Sequence, residues 1–221
     1  SFDLGRRSGT NTSHRLPVLK NIRPGGRLVI RFLPTSPEPM SYSYSWSWEM
    51  GTRRTRHRKR QTYQLPWPAD QHFECTQGFD GGYSHRNQHA MDIVMPIGTP
   101  ILAARGGTVV AITDGWGEGG ADRKYFSEAN YVTVMHTDGT YATYMHLLAD
   151  SMVVSIGEEV ETGQRLSSSG SSGFSARPHL HFVVKSALDG WTDRSWPVRF
   201  SVGDGEIILR PGKWYPSQPP Q

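Results

Sequence analysis

Tyr131-Val132-Thr133-Val134-Met135-His136-Thr137-Asp138-Gly139-Thr140-Tyr141-Ala142-Thr143-Tyr144-Met145-His146 is the stretch that decides the fold. Two runs of β-branched and aromatic residues flank an Asp-Gly pair, a strong short-range signal of a β-hairpin. A two-residue turn at Asp138 and Gly139 would pair His136 with Tyr141. Alternation would then put His146 on the face opposite His136, so only one of the two could join a common site. On both sides of the hairpin, from about residue 73 to residue 184, short apolar runs alternate with Gly, Asp and Ser turns, and no long amphipathic helix interrupts them. The expected class is all-β, built on an antiparallel sheet.

Composition agrees with that expectation. Of 221 residues 36% are hydrophobic, and 24 glycines with 15 prolines favour short strands and tight turns around one dominant core. Residues 1–23 read as a flexible arm, 24–66 as a small N-terminal β extension, 67–200 as the main domain, and 201–221 as a C-terminal strand with a Pro-rich tail. In the extension a first strand is expected at 27–32. Ser41-Tyr42-Ser43-Tyr44-Ser45-Trp46-Ser47-Trp48 alternates strictly, giving a ribbon of rings that either covers a sheet or offers a platform to sugars. Tyr63-Gln64-Leu65-Pro66-Trp67-Pro68 reads as a linker into the main domain. The loops at 115–127 and 167–176 are rich in Gly and Ser, which reads as mobility.

The formal charge is +4, and much of the excess lies in the basic loop 53–60, Arg53-Arg54-Thr55-Arg56-His57-Arg58-Lys59-Arg60. Such a loop is solvated, and it suits anionic wall or envelope polymers. No aromatic residue is interleaved in it to stack bases, so nucleic acid is not an expected partner. Cys75 is the single cysteine, which excludes an intramolecular disulfide and a cysteine zinc knuckle. No apolar run approaches the about 18 residues a transmembrane helix needs. A start at Ser1 without Met fits a processed secreted chain and a trimmed one equally.

Arg177-Pro178-His179-Leu180-His181-Phe182-Val183-Val184 reads as a further strand. Period two puts His179 and His181 on one face and sends Leu180 and Phe182 into the core. Two imidazoles side by side allow one to bind a metal while the other moves protons. The other ligands must then be His, Asp or Glu, and the densest supply is Tyr83-Ser84-His85-Arg86-Asn87-Gln88-His89-Ala90-Met91-Asp92. Asp92 opens an apolar strand, where an unpaired carboxylate would be costly and a metal ion would compensate it.

These blocks stand in a familiar order. Asp92-Ile93-Val94-Met95-Pro96-Ile97-Gly98-Thr99-Pro100, Ala103-Ala104-Arg105-Gly106-Gly107-Thr108-Val109-Val110, Tyr144-Met145-His146-Leu147, residues 157–160 with Gly163-Gln164, and residues 170–182 together resemble the lysostaphin/LytM-type zinc endopeptidases. The resemblance covers residues 73–185. It implies a LytM-like antiparallel β fold with a groove, in which a zinc-bound water cleaves peptide bonds in peptidoglycan cross-links or stem peptides, in the periplasm or at the cell surface. It implies Zn2+ held by His85, Asp92 and His181, with His146 and His179 catalytic and Tyr83 beside the substrate.

The family's usual His-to-Asp spacing is four residues, whereas His85 lies seven and His89 three before Asp92. The form with an insertion carries its ligand in a Ser-His after a Gly turn, and Gly81-Gly82-Tyr83-Ser84-His85 matches it, so His85 is preferred. His14, His57, His72 and His136 match no functional position and read as structural or surface residues. The alternative from a different class is a non-catalytic LytM-like scaffold that binds peptidoglycan or activates another wall hydrolase. The complete set of ligand types favours the enzyme.

Overall fold

Runs of alternating side chains assemble into one nine-stranded sheet in the computed structural model, which describes residues 2–3, 10–12, 20–22, 26–34, 45–52, 55–57, 61–189 and 192–216. In chain order the strands are β1 (His72–Gln77), β2 (Ala90–Val94), β3 (Gly107–Thr113), β4 (Tyr131–Met135), β5 (Tyr141–Met145), β6 (Glu159–Val160), β7 (His179–Ala187), β8 (Asp193–Ser195) and β9 (Lys213–Pro216). Their order across the sheet is β6-β3-β4-β5-β7-β2-β1-β9, with β8 also paired to β7, and all these pairings are antiparallel. Helix is limited among the described residues to one 3-10 turn, Arg123–Ser127. The chain is all-β, as its sequence indicates. Two short pairings are parallel: Thr62–Gln64 with Arg199–Val202, and Gly119–Gly120 with Gly173–Phe174.

The strand β7 runs through the middle of the sheet, and its alternation divides the molecule. Leu180, Phe182 and Val184 are fully buried on one face. The Phe182 ring lies 5.1 Å from Tyr144, 5.8 Å from Phe200 and 6.5 Å from Tyr63, centroid to centroid. Those contacts come from three elements far apart in sequence. The segment that reads as a linker is therefore core: Tyr63, Leu65 and Trp67, spaced by two, are all buried. Period two in an extended chain explains this as well as it explains a strand.

The central hairpin departs from the expected turn. Met135 pairs with Tyr141, so five residues rather than two make the loop. Its geometry follows from Asp138, whose Oδ1 accepts from the Thr140 amide (3.0 Å) and hydroxyl (2.7 Å) while Oδ2 accepts from Arg105 (2.8 Å). This register places His136 on the core face, where it is buried and its Nδ1–H donates to the Gly106 carbonyl at 2.9 Å. His146 would fall on that same face if β5 ran on. It does not: β5 ends at Met145, and His146 adopts φ 63°, a left-handed conformation uncommon outside glycine. Its ring thereby comes to lie 4.5 Å from that of His179.

The flanking segments are only partly as expected. No strand forms at 26–31; the described strand is Phe32–Pro34, paired with Thr10–Thr12. Of the aromatic ribbon, Ser45–Trp46 pairs with Phe2–Asp3, and residues 41–44 lie outside the described residues. In the basic loop, residues 53, 54 and 58–60 are likewise outside them. His57 is not solvated, since its side chain is buried, 3.6 Å from Asp138 and with its ring 5.0 Å from that of Trp196. At the other end, Arg199–Val202 and Gly205–Ile207 join Thr62–Gln64 in a small sheet, while β9 closes the edge of the large one against β1.

Candidate active site

Opposed residues in an antiparallel sheet share a face, and one such row crosses four strands: Met145 on β5, His181 on β7, Asp92 on β2 and Gln77 on β1. The last member depends on a β-bulge. Cys75 pairs with Ile93 and Gln77 with Asp92, so two steps on β1 match one on β2. The extra residue puts Gln77 opposite Asp92 instead of Thr76. The Gln77 amide then donates to Asp92 Oδ2 at 2.9 Å, and its carbonyl oxygen accepts from the backbone amides of Tyr83 and Ser84, at 3.2 and 3.3 Å. One carboxamide thus fixes both the aspartate and the loop that carries His85.

Three donor atoms converge on the free side of this row. His85 Nε2 stands 3.2 Å from His181 Nδ1 and 3.2 Å from Asp92 Oδ1, and His181 Nδ1 stands 2.9 Å from the same oxygen. Ligands held about 2.0–2.1 Å from a tetrahedral ion are themselves roughly 3.3 Å apart, so this triangle has the size of one face of such a site. Tautomer chemistry agrees. His85 donates Nδ1–H to the Gly78 carbonyl at 3.1 Å, which leaves the lone pair of its neutral form facing a carboxylate oxygen. That contact is repulsive unless a cation lies between. Burial opposes a charge on His85, yet hydrogen bonding to Asp92 and its charge prevail and raise the pKa. Burial also works against ionised Asp92, but hydrogen bonds from His181 and His85 hold its carboxyl well below the usual carboxylate range.

Two further histidines stand beside the triangle. His179 Nδ1–H donates to the Arg177 carbonyl at 2.8 Å, and His146 Nδ1–H donates to the Ser172 carbonyl at 2.7 Å. Each therefore keeps an unprotonated Nε2 when neutral. Burial first, then the positive potential of His179 and His181, pushes His146 down to about 3. Burial likewise lowers His179. Tyr83 is exposed at the rim, and together these groups line a cavity of about 440 Å³.

His89 does not enter this cluster. Its backbone amide donates to Ser195 Oγ (2.9 Å) and its Nδ1 is 3.2 Å from the Ser195 carbonyl. The residues that sequence reasoning missed are Gln77 and the carbonyls of Gly78, Ser172 and Arg177. None is marked by its side-chain type: three act through the backbone, and Gln77 acts only because of the bulge.

The two loops rimming the cavity are tied to each other. Gly119–Gly120 pairs with Gly173–Phe174, an approach so close that a Cβ at Gly119 would sit 1.9 Å from the Ser171 carbonyl oxygen. Asn130 clamps Trp116 from both sides, accepting from its amide and donating to its carbonyl, each at 2.9 Å. The Gly and Ser content that reads as mobility serves close backbone packing here.

Comparison with known proteins gives consistent matches. The chain is 35% identical over 131 residues to "Glycyl-glycine endopeptidase ALE-1" of Staphylococcus capitis, covering 58% of this chain and 32% of that protein. It is 30% identical over 124 residues to "Peptidoglycan DD-endopeptidase ShyA" of Vibrio cholerae, covering 53% and 26%. The chain thus spans a third or less of the length of these relatives. Among solved structures, lysostaphin from Staphylococcus simulans shares 31% identity, with 52% of this chain and 42% of that one covered, at a TM-score of 0.40. The model of Peptidase family M23 matches residues 86–192, starting one residue after His85 and taking in Asp92, His146, His179 and His181. This segment, which carries four of the five clustered side chains, is what the chain shares with the M23 peptidase domain.

Proposed function

We propose that the chain is a zinc-dependent endopeptidase that hydrolyses peptide bonds in bacterial peptidoglycan, in its cross-links or stem peptides, and that it works in the periplasm or outside the cell. The observation that carries the reading is the triangle of His85, Asp92 and His181 with two hydrogen-bonded histidines beside it. Both named relatives above, ALE-1 and ShyA, are described as endopeptidases, which supports the class of reaction.

His85, Asp92 and His181 would hold the zinc. When bound there it would supply a Lewis acid for the scissile carbonyl and a water acidified toward about pH 7. The remaining chemistry belongs to His146 and His179. Both present an unprotonated Nε2 toward the cavity, fixed in that tautomer by the Ser172 and Arg177 carbonyls. A neutral imidazole so held takes a proton from the attacking water and returns it to the leaving amine. Protonated, it donates a hydrogen bond to the oxygen on which negative charge develops. No Glu of a His-Glu-x-x-His helix is needed for this.

Incubating purified sacculi of defined cross-link chemistry with the protein, with and without a chelator, tests the reading. Chelator-sensitive release of peptide fragments, identified by mass, is expected. Intact cross-links in every sacculus despite bound zinc would contradict it and favour a scaffold role.

A further inference from the structure

The cavity contains more than the proposed chemistry needs. One wall is aromatic: Phe126 stacks on Phe174 with centroids 4.5 Å apart and planes 26° from parallel, and Phe126 is exposed although it is large and apolar. Each ring comes from a different rim loop. Phe126 sits in the 3-10 turn whose Lys124 N–H is capped by Asp122 Oδ1 at 3.0 Å, and Phe174 belongs to the parallel pair with Gly120. Gly173 adopts φ 75°, and a Cβ there would lie 2.6 Å from that of Ala129, so the wall is held from behind by backbone contact. This is a preformed surface for apolar atoms, at a cost already met by folding.

The second unused group is Arg177, which is exposed and lines the same cavity. The ion pairs that lysines and arginines make among the described residues are Arg105–Asp138 and Lys185–Asp193, and Arg177 takes part in neither. The other charged carboxylate or guanidinium on the cavity wall is Asp92, which is committed to His85 and His181. Arg177 is not placed at random, because its own carbonyl accepts from His179 Nδ1 and from Ser175 Oγ, both at 2.8 Å. The backbone that carries the guanidinium is therefore fixed two residues before a histidine proposed to move protons, at the cavity wall. A planar fork of donors at that position matches a carboxylate.

We propose that Arg177 and the Phe126–Phe174 wall select a peptide whose residue near the cleaved bond carries an aliphatic stem and a free carboxylate, and select against a run of glycines. A glycine bridge has no side chain to cover the wall and no carboxylate within the chain to meet the guanidinium. The carboxylate could be on a side chain, as in diaminopimelate, or at a peptide C-terminus, and both present the same chemistry to Arg177. The inference rests on the endopeptidase reading of this site and narrows it.

Equilibrium binding to the full chain in chelator tests recognition separately from turnover. The probes are a fluorescein-labelled D-alanyl-diaminopimelate peptide, its side-chain amide, its C-terminal amide and labelled pentaglycine, read by fluorescence anisotropy. The wild-type chain should bind the acid peptide about tenfold or more tightly than pentaglycine, and Arg177→Gln should lose about that factor for the acid peptide alone. The amide that already binds weakly, and that Arg177→Gln does not weaken further, identifies which carboxylate is read. Phe126→Ala should weaken the acid peptide and both amides while leaving pentaglycine unchanged. An affinity for the acid peptide that Arg177→Gln does not alter, pentaglycine bound as tightly as the acid peptide, or no binding by the wild-type chain would each overturn the proposal. Failure of the zinc-loaded protein to cleave a peptide that it binds in this way would instead count against the endopeptidase reading alone.

Discussion

Gln77 shows how one neutral side chain can organise a charged site. Its amide donates to the Asp92 oxygen that faces away from the triangle, so the carboxylate presents Oδ1 in one orientation. Replacement by Leu should leave the fold intact and weaken zinc affinity by roughly 10–100-fold, measured by competition with a chromophoric chelator. Unchanged affinity would mean that the bulge positions nothing of consequence. The preference for His85 over His89 came from the Gly81-Gly82-Tyr83-Ser84-His85 form and not from strand parity. His89 precedes Asp92 by three, an odd spacing that in a continuous strand puts it on the opposite face, and it indeed bonds to Ser195 instead. How far the preceding loop would curl was not legible, because it depends on left-handed residues at Asp80 and Asn87, with φ of 56° and 58°.

The decisive element is β7, because each of its faces does a different job. Phe182 is buried among Tyr144, Phe200 and Tyr63, while its neighbour His181 sits in the triangle. Phe182→Ala should cost about 3–5 kcal/mol of unfolding free energy, read from urea denaturation, and should disturb metal binding without touching a ligand. The alternation of this strand was readable from six residues. The hairpin beside it was readable as a hairpin but not in its register, because Asp138 holds Thr140 in a longer loop and is itself held by Arg105, which is distant in sequence. Nor did any local signal show that His146 would leave its strand with a positive φ, a conformation that recurs where function imposes strain.

At the scale of the whole molecule, the buried His136 links stability to pH. Its Nδ1–H is used by Gly106 and its Nε2 has no hydrogen-bond partner among the described residues, so a second proton would be buried without an acceptor there. Burial, against a favourable Gly106 hydrogen bond and with Arg105, Asp138 and His57 nearby, pushes it down from 6.5 to about 4. Above pH 6.5 it is neutral folded and unfolded alike. As pH falls from there to about 4 the unfolded chain takes up a proton that the folded chain refuses. Stability should therefore drop by about 3 kcal/mol across that window, at about 1.4 kcal/mol per pH unit, and His136→Asn should remove that share of the slope in denaturation curves. The long-range packing behind this was the least legible part of the sequence. Tyr63, Leu65 and Trp67 look like a linker until Phe182 and Phe200 are seen to need them, and His57 looks solvated until Trp196 covers it.

The central claim is a division among five histidine and aspartate side chains: three that hold metal and two that move protons. Elemental analysis of zinc in the His181→Ala and His179→Ala proteins, paired with their activity on sacculi, tests it most directly. The account predicts almost no zinc in His181→Ala, about one zinc per chain in His179→Ala, and turnover in neither. Stoichiometric zinc in His181→Ala, or sustained cleavage by zinc-loaded His179→Ala, would contradict it.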